Sequence, residues 1–254
     1  MIGITIAGLD PSGGAGILTD VKTLASYNIH PTSVVTALTA QNPSKVYSVK
    51  PITVDFINEQ FDSVLSEYDI GYGKTGLLYS KDIIKAVSKK VIEYDLKIVV
   101  DPVMVASAGD KLSENNICKA FKKYLLPRCI LTTPNVSEAE QLSGIEIKSK
   151  EDAIEAAYKI GDYCNVIITG GHLNGVNTFY NGEVKVFNQE LIESDNTHGS
   201  GCTFSAAIVA NLIKNNDMDL FKSINEAMDF TFNSILNGRY KTLNPNFLSK
   251  KISK

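Results

Sequence analysis

The chain is short of the features that mark most non-enzymatic classes. Its four cysteines, Cys118, Cys129, Cys164 and Cys202, stand far apart with no C-x-x-C pair. That spacing signals neither a disulfide framework nor a zinc site, and the first three read as small core hydrophobes. No charge of one sign dominates: 25 Lys+Arg against 28 Asp+Glu leave a formal net charge of −3, without the basic footprint that nucleic acid or an anionic membrane surface attracts. No apolar run is long enough to cross a bilayer, and Met1-Ile2-Gly3-Ile4-Thr5-Ile6-Ala7-Gly8 runs into a glycine turn with no basic leader. The expectation is a cytoplasmic protein that acts on a small molecule. Short-period repeats and low-complexity segments are also missing. What the chain does have is 44% hydrophobic content over 254 residues, enough for a large core in one α/β domain covering residues 1–254.

Strand-type runs alternate with amphipathic segments of helical length. Ile2 to Ala7, Thr32 to Thr39, Asp69 to Lys74, Lys97 to Val100, Cys129 to Leu131 and Val166 to Thr169 read as strands. Ala15 to Tyr27, Val54 to Glu67, Lys81 to Tyr94, a segment from Ser137, Glu151 to Tyr163, Gly201 to Lys214 and Leu220 to Leu236 read as helices. Asn174-Gly175 and Asn181-Gly182 flank Val176 to Tyr180 and mark an antiparallel meander at a sheet edge. This alternation predicts a mostly parallel central sheet with helices on both faces. In such sheets ligands sit beyond the carboxyl ends of the strands, so the residues there are the ones to inspect.

The most expressive of them are Asn196-Thr197-His198-Gly199-Ser200-Gly201-Cys202-Thr203, which lead directly into an apolar helix. Glycines at a helix start let backbone N–H groups converge on an anion, and the helix field is expected to favour the thiolate of Cys202. Taken alone, the same residues make a tight turn that caps a core helix. After the first strand come Gly8-Leu9-Asp10-Pro11-Ser12-Gly13-Gly14-Ala15-Gly16 and Asp20, where the carboxylates can accept from ring N–H or amino groups, or simply cap the turn. Gln41 and Asn42 follow the second strand and can pair with a heterocycle. Asp101, after Ile98-Val99-Val100, and Glu138, three residues beyond Asn135, can share a hydrated magnesium ion, with Asn135 holding one of its waters. The plainer readings are a turn at Asp101-Pro102 and a capping box between Asn135 and Glu138.

These motifs, together with Ala40-Gln41-Asn42, Asp101-Pro102-Val103-Met104, Thr133-Pro134-Asn135 and Gly170-Gly171-His172, closely resemble those of the hydroxymethylpyrimidine/phosphomethylpyrimidine kinases of thiamine biosynthesis, in the ribokinase superfamily. The resemblance runs in order along nearly the whole chain. It implies a ribokinase-like three-layer fold without a separate lid domain, and a homodimer. It also implies ATP-dependent phosphorylation of 4-amino-5-hydroxymethyl-2-methylpyrimidine and then of its monophosphate. Carried onto this sequence, it makes Gln41, Asp20, Gly8 and Val103 the pyrimidine pocket and Cys202 the base. The Gly199, Gly201 and Cys202 amides become the anion hole, Asn135, Thr169, Thr197, His198 and Ser200 the ATP and phosphate contacts, and Asp101 and Glu138 the holders of Mg2+. Two positions depart from the family pattern. Thr169 stands where a lysine is frequent, a loss that Lys74 could offset, and the loop Ala106-Ser107-Ala108-Gly109-Asp110 is altered but expected to close over the nucleotide. Pyridoxal or pyridoxine kinase is the runner-up, although residues 105–112 lack the second cysteine some of those relatives use. A non-catalytic pyrimidine sensor is the alternative of another class, disfavoured because Asp101, Glu138 and Cys202 are all present.

Overall fold

The computed structural model describes residues 1–105, 112–114, 117–171, 173–215 and 219–247. Strands β1 (Ile2–Leu9), β2 (His30–Asn42), β3 (Lys45–Pro51), β4 (Tyr72–Thr75), β5 (Lys97–Val100), β6 (Leu131–Thr132), β7 (Val166–Ile168), β8 (Val176–Tyr180) and β9 (Val184–Asn188) form one nine-stranded sheet in the order β3-β2-β1-β4-β5-β6-β7-β8-β9. Pairing is parallel from β2 across to β7, with β3 antiparallel on one edge and β8 and β9 antiparallel on the other.

The helices are α1 (Gly16–Ser26), α2 (Val54–Leu65), α3 (Lys81–Glu93), α4 (Ile117–Ala120), α5 (Val136–Ser143), α6 (Lys150–Gly161), α7 (Ser200–Asn215) and α8 (Leu220–Leu236). The near-continuous apolar strands make sense because both faces of the sheet are covered. Ile98 and Val100 of β5 pack with Phe61 of α2, Ile84 of α3, Ala139 of α5 and Ala157 of α6. Val99, between them, packs the other way with Leu24 of α1, Ile208 of α7 and Ile224 of α8. Among the described residues no second sheet stands apart as a lid. The three layers match the architecture expected from the sequence.

Three details differ from expectation. Strand β2 does not stop at Thr39 but runs to Asn42 and turns into the unanticipated β3. The turn is local chemistry: Asn42 Oδ1 accepts from the N–H groups of Ser44 and Lys45 at 2.9 and 3.0 Å. An unanticipated helical segment also begins at α4 and continues as a π-helical turn, Phe121–Leu125. The expected nucleotide loop Ala106 to Asp110 and His172 lie outside the described residues.

The topology locates the site. From β1 the chain passes to β2 on one side and then returns to β4 on the other. The crevice outside the carboxyl ends of β1 and β4 is therefore a topological switch point, the usual place for a ligand in an open α/β sheet.

Candidate active site

The first glycine turn is organised by one side chain. Asp10 is almost fully buried at the end of β1. Its Oδ1 accepts from the Ser12 N–H at 2.8 Å, and its Oδ2 from the Ser12 hydroxyl at 2.9 Å and the Ala15 N–H at 2.9 Å. His198 Nε2 lies 2.8 Å from the same Oδ2, and the Gln41 side chain bonds to the carboxylate as well. Burial opposes ionisation of Asp10, but the bonds from His198, Ser12 and Gln41 outweigh it and hold the carboxyl below its usual range. An ionised Asp10 can only accept, so Nε2 of His198 carries the proton of that bond.

The second glycine turn packs on the first. Gly199 has φ +90, and a Cβ there would lie 1.8 Å from the Gly14 carbonyl oxygen. A Cβ on Gly14 would lie 2.4 Å from the His198 ring. Glycine is required at Gly199 because two backbones touch there with left-handed φ, and at Gly14 because the His198 ring and the Thr242 side chain occupy the space of a Cβ. Helix α7 then starts at Ser200, with the Thr203 N–H donating to the Gly199 carbonyl at 2.9 Å.

Beneath these turns lies a buried charge cluster. Lys74, at the end of β4, has no exposed surface, and its Nζ donates to Asp20 Oδ1 at 2.9 Å and stands 3.7 Å from Asp101 Oδ2. Thr5 of β1 donates its hydroxyl to Asp20 Oδ2 at 2.5 Å. Burial works to strip the Lys74 proton, but the charge and hydrogen bond of Asp20, with the Asp101 charge, overcome it and hold the ammonium above its usual range. Asp20 and Asp101 are both raised, by burial first, with Lys74 opposing. Asp101 also accepts from the Ser205 hydroxyl of α7 at 3.2 Å and from the Cys202 thiol.

Cys202 does not behave as its position suggests. Burial pushes its thiol up to about 12, with the charges of Asp101 and Asp20 adding and Lys74 and the Gly16 N–H opposing. The expected thiolate is therefore a neutral thiol beside a carboxylate. The helix field is real, but desolvation is larger.

Glu138 makes the capping box that was its plainer reading: it accepts from the Asn135 N–H at 3.0 Å while its own N–H donates to Asn135 Oδ1 at 3.0 Å. It is also buried, and burial, then the Asp101 charge, pushes it up to about 8 against the N–H groups of Asn135 and Met104. A buried hard carboxylate raised by the charge of a second one suits a divalent cation in place of its proton. Among the described residues no group of three or more His, Cys, Asp or Glu side chains gathers to hold an ion. A cation here would keep most of its waters, which is the habit of magnesium.

Cys202, Asp101, Glu138, Gly199 and His198 thus belong to one connected region, joined to Gly8 through Gly16, where a Cβ would lie 2.3 Å from the Gly8 carbonyl. Val103 packs with Leu77, whose side chain lies over Gly8. Thr169 sits beside Asn135, its N–H donating to the Pro134 carbonyl at 3.0 Å, while Thr197 is exposed and Ser200 and Gly201 open α7. The expected ring acceptor Asp20 is sealed off with both oxygens occupied, so it belongs to the floor of the site. Sequence reading passed over Thr5 and Ser205, and named Lys74 merely as a possible substitute for a lost cation. The signal for Lys74 was a lone lysine at the carboxyl end of an apolar strand.

The family model described as phosphomethylpyrimidine kinase matches residues 10–245. The hydroxymethylpyrimidine/phosphomethylpyrimidine kinase of Bacillus subtilis is 37% identical over 249 residues, covering 94% of this chain and 89% of that protein. The structure of phosphomethylpyrimidine kinase from Clostridium difficile superposes with a TM-score of 0.81 at 31% identity, covering 92% of this chain and 99% of that one. An ADP complex of Bacillus subtilis pyridoxal kinase superposes with a TM-score of 0.84 at 37% identity, covering 92% and 91%.

Proposed function

The chain belongs to the phosphomethylpyrimidine kinase family, and from that premise we propose that it uses ATP to phosphorylate 4-amino-5-hydroxymethyl-2-methylpyrimidine on its hydroxymethyl group and then converts the monophosphate to the diphosphate, as thiamine biosynthesis requires. The observation that carries this reading is the meeting of the α7 amino terminus, Cys202 and Asp101 at the β1/β4 switch point, beside Gly8 and Gln41. An amide nest for a phosphoryl group, a proton-handling pair and a surface for a ring lie within one crevice.

Gln41, Gly8 and Val103 hold the ring, and Asp20 shapes the floor through Lys74. The Gly199, Gly201 and Cys202 amides receive the oxygens of the migrating phosphoryl group. Asn135, Thr169, Thr197, His198 and Ser200 line the path of the ATP phosphates. Phosphoryl transfer has a loose transition state, so the hydroxyl proton leaves late and positioning outweighs base strength. Cys202 orients the hydroxyl, and as charge builds its sulfur takes that proton while its own passes to Asp101. Asp101 and Glu138 would hold magnesium, directly or through water, and the ion when bound would neutralise phosphate charge. Lys74 supplies the buried positive charge that Thr169 does not. The working protein is a cytoplasmic homodimer.

The likeness to pyridoxal kinase supports a second reading, phosphorylation of the hydroxymethyl group of a B6 vitamer. The absence of cysteine from residues 105–112 favours the pyrimidine. ATP consumption measured with hydroxymethylpyrimidine, its monophosphate, pyridoxal and pyridoxine in parallel decides. The pyrimidine alcohol should give the highest kcat/KM and its monophosphate should be turned over. Faster turnover of pyridoxal would install the second reading, and no turnover of any of the four would leave a binding protein.

A further inference from the structure

Gln41 has an incomplete set of partners. Its amide bonds to Asp10, yet Oε1 is buried with no partner among the described residues. The orientation of the amide follows from chemistry: an ionised Asp10 accepts and cannot donate, so the NH2 of Gln41 must face it and Oε1 must face away. The same carboxylate holds His198 by Nε2 at 2.8 Å, and Nδ1 of that ring is likewise buried and unpartnered. Asp10 therefore has hold of two side chains, one on β2 and one in the turn before α7, and each is left with an unused polar atom.

We propose that Asp10 is a positioning residue that fixes the Gln41 amide with its oxygen presented to the ring site and ties that amide to the anion-binding turn through His198. The consequence is selectivity. A fixed carbonyl oxygen accepts from a ring that carries a donor, such as an exocyclic amino group, and is left unsatisfied by a ring that lacks one. This rests on the proposed pyrimidine reading. Asp10 itself touches neither substrate nor nucleotide, because its oxygens are taken by Ser12, Ala15, His198 and Gln41.

The test is Asp10→Asn, which keeps the shape but places an NH2 where an acceptor stood. The quantity read is the ratio of kcat/KM for 4-amino-5-hydroxymethyl-2-methylpyrimidine over its analogue without the amino group. In the variant Gln41 can turn, and the ratio should fall about tenfold or more, whereas Ser12→Ala, which loosens the turn but leaves Gln41 and His198 bound, should keep it. An unchanged ratio in Asp10→Asn beside an active parent would reduce Asp10 to a cap for its own loop and overturn the proposal alone. Failure of the parent to phosphorylate either pyrimidine would instead overturn the functional reading, and it is seen in the parent arm before any variant is compared. If Asp10→Asn does not fold, side-chain amide exchange in the parent decides: Gln41 NH2 protons protected relative to those of the exposed Gln141 support the clamp, and exchange as fast as at Gln141 refutes it.

Discussion

At Cys202 two influences on a thiol oppose each other, and their sizes settle the outcome. A helix amino terminus is worth about 0.3–1 kcal/mol to a nearby anion. Burial, reinforced by Asp101 and Asp20, holds the thiol near about 12 despite Lys74. If, as proposed, this neutral thiol exchanges protons during transfer, its loss affects the chemical step more than binding. Cys202→Ala should therefore lower kcat by about 100-fold or more while KM for the pyrimidine stays within about threefold. Steady-state kinetics check this, and an unchanged kcat removes Cys202 from the proton path. Glu138 gives a prediction of a different kind. Its folded value of about 8 lies above the ordinary 4.5, so the folded state binds its proton more tightly than the unfolded chain does. The stability it contributes is complete below about pH 4.5 and is lost as pH rises to about 8, at no more than about 1.4 kcal/mol per pH unit. Thermal unfolding without metal should show Glu138→Gln gaining on the parent as pH rises from 5 to 8, with added Mg2+ closing the gap. Parallel curves for the two proteins would mean that Glu138 is ionised at rest.

The elements were legible where a period or a cap was strong. Asn135 and Glu138 form the capping box their spacing announced, and the same carboxylate feels the charge of Asp101, so the cap is compatible with the proposed metal role. Strand β3 escaped because it is half exposed, with Tyr47, Ser48 and Lys50 on a solvated edge and no clean alternation. The α4 segment was readable: Ile117, Ala120, Phe121, Tyr124 and Leu125 make a helical stripe, and Asn116, a residue type that favours helix starts, stands just before it. The two glycines that open α7 look alike in the sequence and differ in the fold. A Cβ at Gly199 meets the Gly14 carbonyl at 1.8 Å with φ +90, whereas one at Gly201 meets nothing within 4 Å. Gly199→Ala should cost about 1–3 kcal/mol or more and raise KM for ATP as the turns part. Gly201→Ala should be neutral or slightly stabilising, because alanine is the better helix former by about 1 kcal/mol. Thermal melts of the two variants check the contrast, and equal destabilisation would mean that the turns are not packed as described.

For the whole molecule, the strand and helix alternation made the three layers legible, but the pairings that create the site were not, because they join distant residues across the sheet. Lys74 reaches Asp20 over 54 positions, Ser205 reaches Asp101 over 104, and His198 reaches Asp10 over 188. No local pattern carries such pairs; they follow from the return of the chain to β4 beside β1. The same topology leaves β3 as an open edge, and an exposed edge with apolar side chains invites a partner. On this arm Leu38 is 44% exposed and Tyr47 is 66% exposed. The other side of β2 and β3 packs Ala37, Val46 and Val49 against Leu77 and Val103, which with Gly8 form the wall of the proposed ring site. A second copy covering the outer side would stiffen the wall that carries Gln41. Sedimentation velocity at micromolar concentration should find a dimer, and Leu38→Asp should shift it to monomer and raise KM for the pyrimidine with little change in the unfolding temperature. A parent that sediments as a monomer at those concentrations would rule the dimer out, and a monomeric variant with unaltered KM would detach the arm from the ring site.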